Sequence, residues 1–243
     1  MWKGHKVSVI FPTYNEKDSI REAIEDFFQD GYVDEIVVVN NNAAPGTSEE
    51  VAKTRAREVF ETKQGYGWAI RRGFDEVTGD YIIVSEPDGT FMGKDVLKLL
   101  AYSDDFDAVL GTRTSRELIW EGANMGFFLK CGNVAVAKMT EFLFNSSILT
   151  DMGCTMRLLK RPVVERMKPF FRIGGSHFGP EMLLILIKQR IRFMEIPVNY
   201  RERVGESSVT GDMWKAIRLG LRMIALVLRA RFTTLYGRMR DEG

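Results

Sequence analysis

Short apolar runs alternate with amphipathic segments along most of this chain. Residues 7–11 and 81–84 are rich in β-branched and aromatic side chains, which is typical of buried strands. Between residues 20 and 28, apolar side chains recur instead at helical spacing. The pattern predicts strands at residues 7–11, 35–40, 59–63, 81–84, 108–111 and 193–200, and helices that begin near residues 20, 47, 67, 94, 161 and 181.

Strand and helix alternate three times with short connections before the strand at residues 81–84. This alternation predicts right-handed βαβ units and an α/β fold with a doubly wound, mostly parallel sheet flanked by helices. Pro12 is expected to end the first strand, because proline donates no ladder hydrogen bond. Residues 47–50, Thr-Ser-Glu-Glu, have the spacing of a capping box at the start of the second helix.

The last part of the chain combines apolar and basic residues. Residues 212–243 contain seven Arg or Lys against three Asp or Glu, and residues 213–231 predict an amphipathic helix. Its uninterrupted apolar core, residues 223–228, is too short to cross a bilayer. We therefore expect a domain at residues 1–210 and, at residues 211–243, a basic helix and tail lying in lipid headgroups; a helix docked on the domain is the alternative.

Bulk composition narrows the class of protein. Apolar residues make up 45% and charged residues 28% of the chain, as in an ordinary soluble domain, and the net charge of +1 gives no sign of nucleic-acid binding. Cys131 and Cys154 form no CxxC motif, which argues against a disulfide framework or a zinc cluster. The N-terminus carries no signal-peptide pattern, so we expect a cytoplasmic protein.

An acidic turn follows the strand at residues 81–84. Glu86 and Asp88 lie one residue apart, and Pro87 and Gly89 prevent the strand from continuing. Ligands of open α/β sheets bind at the carboxyl ends of strands, so the pair is placed to hold a divalent cation and a phosphorylated ligand. A solvated acidic turn is the alternative interpretation.

Two glycines before this turn, at residues 65 and 67, do not form the motif of a dinucleotide-binding site. Gly65 and Gly67 lack the third glycine of the GxGxxG fingerprint and follow the third predicted strand instead of the first. They predict a loop whose backbone approaches a ligand, beside a helix that carries Arg71 and Arg72.

Several motifs in order resemble a known family. Residues 8–16 match the first strand of family 2 glycosyltransferases, which ends in a Pro-x-Tyr-Asn-Glu turn, and the acidic turn matches their DxD site. Gly65, Gly67 and Gly73 match the glycine-rich stretch between these features. Residues 111–113, 150–157 and 198–207 are similar to the branch that includes dolichyl-phosphate mannose synthases and related polyprenyl-phosphate sugar transferases; the last of these motifs includes Arg203 and Ser207.

The resemblance implies a GT-A fold, a nucleoside diphosphate sugar donor linked to GDP or UDP, and Mg²⁺ or Mn²⁺. Asp88 is the expected direct metal ligand, with Glu86 acting directly or through water. Arg203 is expected to bind the phosphates by charge-assisted hydrogen bonds. The metal would act as a Lewis acid on the diphosphate leaving group.

The nucleotide is expected to contact the turn after the first strand. Pro12 and Tyr14 would give its base an apolar wall, and Glu16 would accept a hydrogen bond. The family commonly has a pair of aspartates after its second strand, whereas this chain has three consecutive asparagines at residues 40–42. Asn40 and Asn41 can hydrogen-bond a ribose or a base without carrying charge, and Gly65 would let the backbone approach.

The acceptor decides which further residues are needed. A phosphate acceptor is already ionised and needs no general base, which would make Arg113 the leading cation, ahead of Arg116 and Lys130. A hydroxyl acceptor needs a carboxylate, for which Asp151 and Glu181 are candidates. Asp151 could equally be structural and paired with Arg157. His177, in a glycine-rich loop, is more plausible as a hydrogen-bonding residue than as a base.

The leading hypothesis is therefore a metal-dependent, inverting glycosyltransferase. It would move a sugar to a polyprenyl phosphate or another lipid-linked acceptor at the cytoplasmic face of the membrane, as a peripheral protein that acts either alone or as a homo-oligomer. The alternatives are transfer to a sugar hydroxyl in polysaccharide or cell-wall assembly, and a non-catalytic subunit that binds nucleotide sugar or acts as a scaffold.

Overall fold

The computed structural model describes residues 1–123, 127–205 and 213–233. The predicted domain boundary at residue 210 and Ser207 of the last motif lie outside these ranges.

Within the described ranges, seven strands form one sheet. The strands are β1 (Val7–Thr13), β2 (Glu35–Asn40), β3 (Arg57–Phe60), β4 (Tyr81–Val84), β5 (Ala108–Thr112), β6 (Arg157–Lys160) and β7 (Phe193–Pro197). Their order in the sheet is β3-β2-β1-β4-β6-β5-β7. Neighbouring strands are parallel except where β6 pairs antiparallel with both β4 and β5. The predicted mostly parallel, doubly wound sheet is confirmed.

Helices cover both faces of the sheet. They are α1 (Ile20–Gln29), α2 (Thr47–Ala52), α3 (Tyr66–Glu76), α4 (Asp95–Tyr102), α5 (Phe127–Phe144), α6 (Arg161–Met167), α7 (Phe178–Lys188) and α8 (Met213–Phe232). The sheet separates the hydrophobic core into two layers: one contains the apolar sides of α1, α2 and α4, and the other contains those of α3, α5, α6, α7 and α8. This arrangement leaves the carboxyl ends of β1, β2 and β4 together at one edge.

The prediction that Pro12 ends β1 is wrong. Pro12 lies inside the strand and pairs in register with Val39 of β2. The pairing of β1 with β4 stops at Ile10 opposite Val84. Beyond that point β1 has a free side, and proline is tolerated where no ladder donor is required.

The predicted capping box at residues 47–50 is also absent. Thr47 is the first residue of α2, and Gly46 precedes it with a φ of 92°. The Thr47 hydroxyl turns back to donate to the carbonyl of Ala44 at 2.7 Å. The helix therefore begins from a left-handed glycine, with no side-chain cap hydrogen bond at that residue.

The sequence pattern placed β3 two residues late and missed β6. β6 contains only two apolar residues, Leu158 and Leu159, and α6 follows it directly. Its strand conformation depends on hydrogen bonding between β4 and β5, which a local pattern does not record.

The C-terminal helix docks on the protein. Met223 and Val227 of α8 are buried in the core layer that also contains α5 and α7. Its other face exposes Ile217, Leu221 and Phe232, the last of which is 85% exposed. None of the described helices is long and apolar enough to cross a membrane.

The backbone at the start of α3 lies in direct contact with the backbone of the loop before α7. Gly67 and Trp68 donate backbone hydrogen bonds to the carbonyl of Gly174. A Cβ atom on Gly67 would lie 2.5 Å from the carbonyl oxygen of Ile173, and one on Gly65 would lie 2.2 Å from that of Gly174. The glycines noted in the sequence therefore serve this close contact between two chain segments.

Replacing Gly67 with Ala is expected to lower the free energy of unfolding by about 1–3 kcal/mol, because backbone must move to accept the methyl group. The matched control is Gly132→Ala in α5, where no atom lies within 4 Å of the added Cβ. That substitution should stabilise the helix by about 0.5–1 kcal/mol. Urea denaturation of both variants measures the difference; a Gly67→Ala variant as stable as the Gly132→Ala variant would contradict the close contact.

Candidate active site

The acidic turn lies at the carboxyl end of β4, as predicted. Asp88 is fully buried, and its Oδ1 accepts hydrogen bonds from the backbone N–H of Thr90 at 2.9 Å and from the Thr90 hydroxyl at 2.5 Å. The hydroxyl of Ser19 donates to the carbonyl of Pro87 at 2.7 Å. The turn is thus held by its own backbone and by the residue that precedes α1.

The segment after β7 crosses this turn and brings Arg203 to the two carboxylates. The N–H of Arg201 donates to the carbonyl of Thr90 at 2.8 Å, and the N–H of Val204 donates to the carbonyl of Asp88 at 2.9 Å. We call residues 201–204 the strap. Nη2 of Arg203 lies 2.9 Å from Oε2 of Glu86 and 2.5 Å from Oδ2 of Asp88. The structure therefore brings Glu86, Asp88 and Arg203 into one cluster.

Burial and charge shift the protonation of this cluster. Burial, followed by the neighbouring charge of Asp88, raises the pKa of Glu86 to about 8, although Arg203 opposes the shift. Burial alone would lower the pKa of Arg203, but the charges of Glu86 and Asp88 raise it. Two carboxylates that share one neighbouring atom repel each other unless a cation lies between them, and here the guanidinium of Arg203 is that cation.

The cluster fits a divalent cation. Oδ2 of Asp88 is buried and makes no hydrogen bond of good geometry to any described residue, even though Nη2 of Arg203 is near. Hard cations such as Mg²⁺ and Mn²⁺ bind carboxylate oxygens. Among the described residues no group of three or more acidic, His or Cys side chains surrounds one point. Glu86 and Asp88 could hold a cation only if a ligand supplied further oxygens.

The turn after β1 is shaped by Glu16. Oε2 of Glu16 accepts the N–H of Tyr14 at 2.6 Å, the N–H of Asn15 at 2.9 Å and the hydroxyl of Thr13 at 3.2 Å. That oxygen is therefore engaged with its own turn. The ring of Tyr14 is 45% exposed at the same edge of the sheet, and Pro12 is buried in β1.

The side chains of Asn40, the last residue of β2, and Asn41 bond to neighbouring segments of the protein. The amide of Asn40 donates to Oε1 of Glu58 in β3 at 2.9 Å, while its oxygen accepts the N–H of Ala43 at 2.8 Å. The amide of Asn41 donates to the carbonyls of residues 61 and 63, and its oxygen accepts the N–H of Gly65 at 2.7 Å. Both side chains are buried, and that of Asn41 positions the loop that leads to α3.

Arg113 and Asp151, predicted for two different acceptors, are paired with each other. The Arg113 guanidinium contacts both Asp151 oxygens at 2.9 Å, and its backbone N–H donates to Oδ2 at the same distance. Asn133 and the N–H of Gly153 donate to Oδ1. The predicted pairing of Asp151 with Arg157 is wrong, because the buried guanidinium of Arg157, at the start of β6, donates to main-chain carbonyls instead.

The pair should make the protein sensitive to acid. Burial alone would raise the pKa of Asp151, but the charge and hydrogen bonds of Arg113 and the amide of Asn133 lower it to about 2. A carboxylate with a depressed pKa stabilises the fold above its ordinary pKa of about 4, and that stability is lost as pH falls toward 2.

We expect the free energy of unfolding to fall by about 2 kcal/mol through this group between pH 5 and pH 2. In Asp151→Asn that component should be missing, so the two stability curves converge at low pH. Urea denaturation across this range measures both curves. Parallel curves would contradict the shifted carboxylate.

Three buried polar side chains have surroundings that the sequence did not indicate. Arg157, which belongs to the motif at residues 150–157, is 2% exposed and donates to the carbonyls of Cys154, Gly179 and Met152. The hydroxyls of Tyr66 and Thr155 are buried without a hydrogen-bond partner among the described residues. Burial, followed by the charge of Glu86, raises the pKa of Tyr66 well above its usual value. For Tyr66, the signal in the sequence was its place between Gly65 and Gly67.

The other predicted acceptor residues are Glu181, His177, Arg116 and Lys130. The carboxylate of Glu181 accepts the N–H groups of Arg172 and Ile173 at 2.9–3.2 Å. His177 precedes α7; burial, followed by the charge of Arg222, lowers its pKa. Its Nδ1 is buried without a hydrogen-bond partner in the described part of the chain, so the expected loop hydrogen bond is absent at that atom. Arg116 is exposed and Lys130 is half-buried.

Comparison with known proteins agrees with the motifs and the geometry. The family model "Glycosyl transferase family 2" matches residues 8–167. The low-salt glycan biosynthesis hexosyltransferase Agl6 of Haloferax volcanii is 28% identical over 222 residues, covering 88% of this chain and 53% of that protein. The dolichyl-phosphate beta-glucosyltransferase of Saccharomyces cerevisiae is 25% identical over 263 residues, covering 97% and 77%. This chain thus spans about half the length of the Haloferax protein.

Solved structures agree on the architecture. Glucosyl-3-phosphoglycerate synthase from Mycobacterium tuberculosis, in a complex with Mn²⁺ and UDP, superposes with a TM-score of 0.70 at 16% identity, over 94% of this chain and 80% of that one. At this identity the likeness concerns the fold, and it confirms the predicted GT-A architecture.

Proposed function

This chain belongs to glycosyl transferase family 2, and we propose that it transfers a hexose from a nucleoside diphosphate sugar to a polyprenyl phosphate. The observation that carries the proposal is the cluster of Glu86, Asp88 and Arg203 beside the turn after β1. It combines two carboxylates with a guanidinium at the edge of the sheet where open α/β folds bind ligands.

The donor diphosphate lies at this cluster. Asp88 and Glu86 hold Mg²⁺ or Mn²⁺, which when bound neutralises negative charge on the leaving group. Oδ2 of Asp88 is buried and makes no hydrogen bond of good geometry to a described residue, which supports this assignment. Arg203 lies within reach of both carboxylates and is placed to donate to phosphate oxygens. The complex of a structural neighbour with Mn²⁺ and UDP is consistent with such a donor.

The nucleoside occupies the edge formed by β1 and β2. Tyr14 offers it an exposed ring, and Pro12 lies in the strand beneath. Asn41 acts by holding the loop that contains Gly65, and Asn40 acts by tying the end of β2 to Glu58 of β3, because the amides of both are occupied within the protein. Glu16 orients Tyr14 through the hydrogen bond from its N–H.

A phosphate acceptor suits this chain better than a hydroxyl acceptor. Asp151 is neutralised by Arg113, and Glu181 is engaged by two backbone N–H groups. A general base must accept a proton from its substrate, which the lowered pKa of Asp151 disfavours. An ionised phosphate oxygen needs no base. Arg113, whose side chain is 15% exposed, is the proposed cation for it. A relative named for dolichyl phosphate supports the same acceptor class.

The outer face of α8 suits attachment at a membrane surface. Exposed apolar side chains at Ile217, Leu221 and Phe232 alternate along the helix with arginines, a pattern that favours insertion among anionic headgroups. We place the protein as a peripheral enzyme on the cytoplasmic face, where its apolar acceptor is embedded.

The test is a transfer assay with the purified chain. UDP-glucose, UDP-N-acetylglucosamine and GDP-mannose are each supplied with Mg²⁺ or Mn²⁺ and either dolichyl phosphate in detergent or a free disaccharide. We expect one donor to give a dolichyl-phosphate sugar, and EDTA to abolish the product. Transfer to the disaccharide alone would support the hydroxyl acceptor, and neither transfer nor donor hydrolysis would support a non-catalytic subunit.

A further inference from the structure

A separate cavity of about 270 Å³ lies on the α1 side of the acidic turn. Its walls are α1, the turn at Gly89, Trp120 with Glu121, and the strap. Neither Glu86 nor Asp88 lines it. Small-molecule sites begin at about 300 Å³, so the cavity is large enough for roughly one small ring.

One wall of the cavity is a fixed aromatic ring. Trp120 is 46% exposed, yet its Nε1 donates to Oδ1 of Asn199 at 3.2 Å and its backbone N–H donates to the carbonyl of Tyr200 at 2.9 Å. The polar edge of the indole is therefore occupied. Nζ of Lys94 lies 5.8 Å from the ring centroid. What Trp120 offers the cavity is apolar surface in a set orientation.

The charged residues that line the cavity are mostly acidic. Four carboxylates face a single guanidinium, that of Arg201: Glu22, Asp26, Glu121 and Glu202. A negative site of this kind repels phosphate, so neither the donor diphosphate nor a lipid phosphate fits it. Ionised carboxylates are hydrogen-bond acceptors only, and they suit a ligand rich in O–H donors.

Arg201 adds an unused donor. Its Nε is buried and has no hydrogen-bond partner among the described residues, although its backbone N–H is bonded to Thr90. Buried polar groups are normally paired, and an unpaired one calls for a partner from outside the chain. An ether or hydroxyl oxygen of a ligand in the cavity would satisfy it.

We propose that this cavity binds a neutral saccharide unit. The apolar face of the sugar ring lies on Trp120, sugar hydroxyls donate to the carboxylates, and a ring or hydroxyl oxygen accepts from Nε of Arg201. The site is additional to those of the proposed function and does not depend on it. Because Arg201 and Arg203 share the strap, a saccharide here contacts the segment that holds Arg203 at the acidic turn.

Saturation-transfer NMR on the purified full chain tests the proposal, with maltose, cellobiose, mannobiose and chitobiose as probes. We expect at least one disaccharide to bind with a Kd of about 0.1–10 mM. Its affinity should be unchanged by 0.5 M NaCl, because the ligand is neutral. The absence of saturable binding by all four probes overturns the proposal.

Two variants test whether the disaccharide binds in this cavity. Trp120→Ala should weaken the disaccharide about tenfold or more, and Glu22→Gln, at an exposed position of α1 that preserves folding, should weaken it several-fold. Phe142→Ala removes an aromatic ring that is 86% exposed on α5, far from the cavity, and should change nothing. Equal binding by Trp120→Ala and the wild type, or binding lost in high salt, overturns the site as drawn. UDP titrated into the same samples reports the donor site independently.

Discussion

Replacing Asp88 with Asn is expected to reduce sugar transfer by about 10²–10³-fold or more while leaving the protein folded. The amide keeps the size of the side chain, and its oxygen can still accept the two hydrogen bonds from Thr90. What is lost is the charge on the buried oxygen Oδ2, which is the atom best placed to bind a divalent cation. Initial rates at saturating donor and Mn²⁺ measure the effect.

The matched control for this variant is Asp30→Asn, an exposed carboxylate just after α1. It removes the same charge from the molecule and should retain full activity. Circular dichroism should show that both variants are folded. If Asp88→Asn transferred sugar at the wild-type rate, the assignment of Asp88 to the metal and the diphosphate would be wrong, whatever the acceptor.

Replacing Arg113 with Met is expected to lower the free energy of unfolding by about 3–5 kcal/mol, because the Asp151 carboxylate would remain buried without its counter-charge. Burial alone would lower the pKa of Arg113, but the charge of Asp151 holds it well above its usual value. Asn133 and Gly153 would still donate to Asp151, which places the effect nearer the lower end of the range. Urea denaturation at pH 7 measures the loss.

The double variant Arg113→Met/Asp151→Asn separates pairing from packing. We expect its loss in free energy of unfolding to be smaller than the sum of the losses in the two single variants, since neither charge is then buried alone. Arg21→Met removes one partner of an exposed pair with Glu25 and should change stability by less than about 0.5 kcal/mol. Strictly additive losses in the double variant would show that Arg113 and Asp151 are not coupled.

Several features of the site could be read from short stretches of sequence. The strand at residues 81–84 and the stop at Pro87 and Gly89 placed the acidic turn correctly, because β-propensity and turn residues act over a few positions. The alternation of strands and helices predicted the parallel sheet and thus the edge at which the turn lies. The order and spacing of the motifs also matched the family whose model covers residues 8–167.

Other expectations failed where distant segments meet. Asp151 was expected beside Arg157 or at a substrate, and it is held by Arg113, 38 residues away. The sequence predicted that Asn40 and Asn41 contact a nucleotide, but not that their amides also bond to Glu58 in β3 and to the carbonyls of residues 61 and 63. β6 was missed because its strand conformation depends on β4 and β5. A local sequence pattern does not record which distant residues will become neighbours in the fold.

Local patterns were therefore enough to predict the class of fold, the position of the acidic turn and the family. Those depend on periodicity, propensity and motif order, which are local or additive along the chain. The pairing of the charges follows instead from the three-dimensional arrangement: Arg203 reaches Glu86 across 117 residues, and Arg113 neutralises Asp151. The free energy of a buried charge depends on which opposite charge lies within a few ångströms, and a short stretch of sequence does not contain that partner.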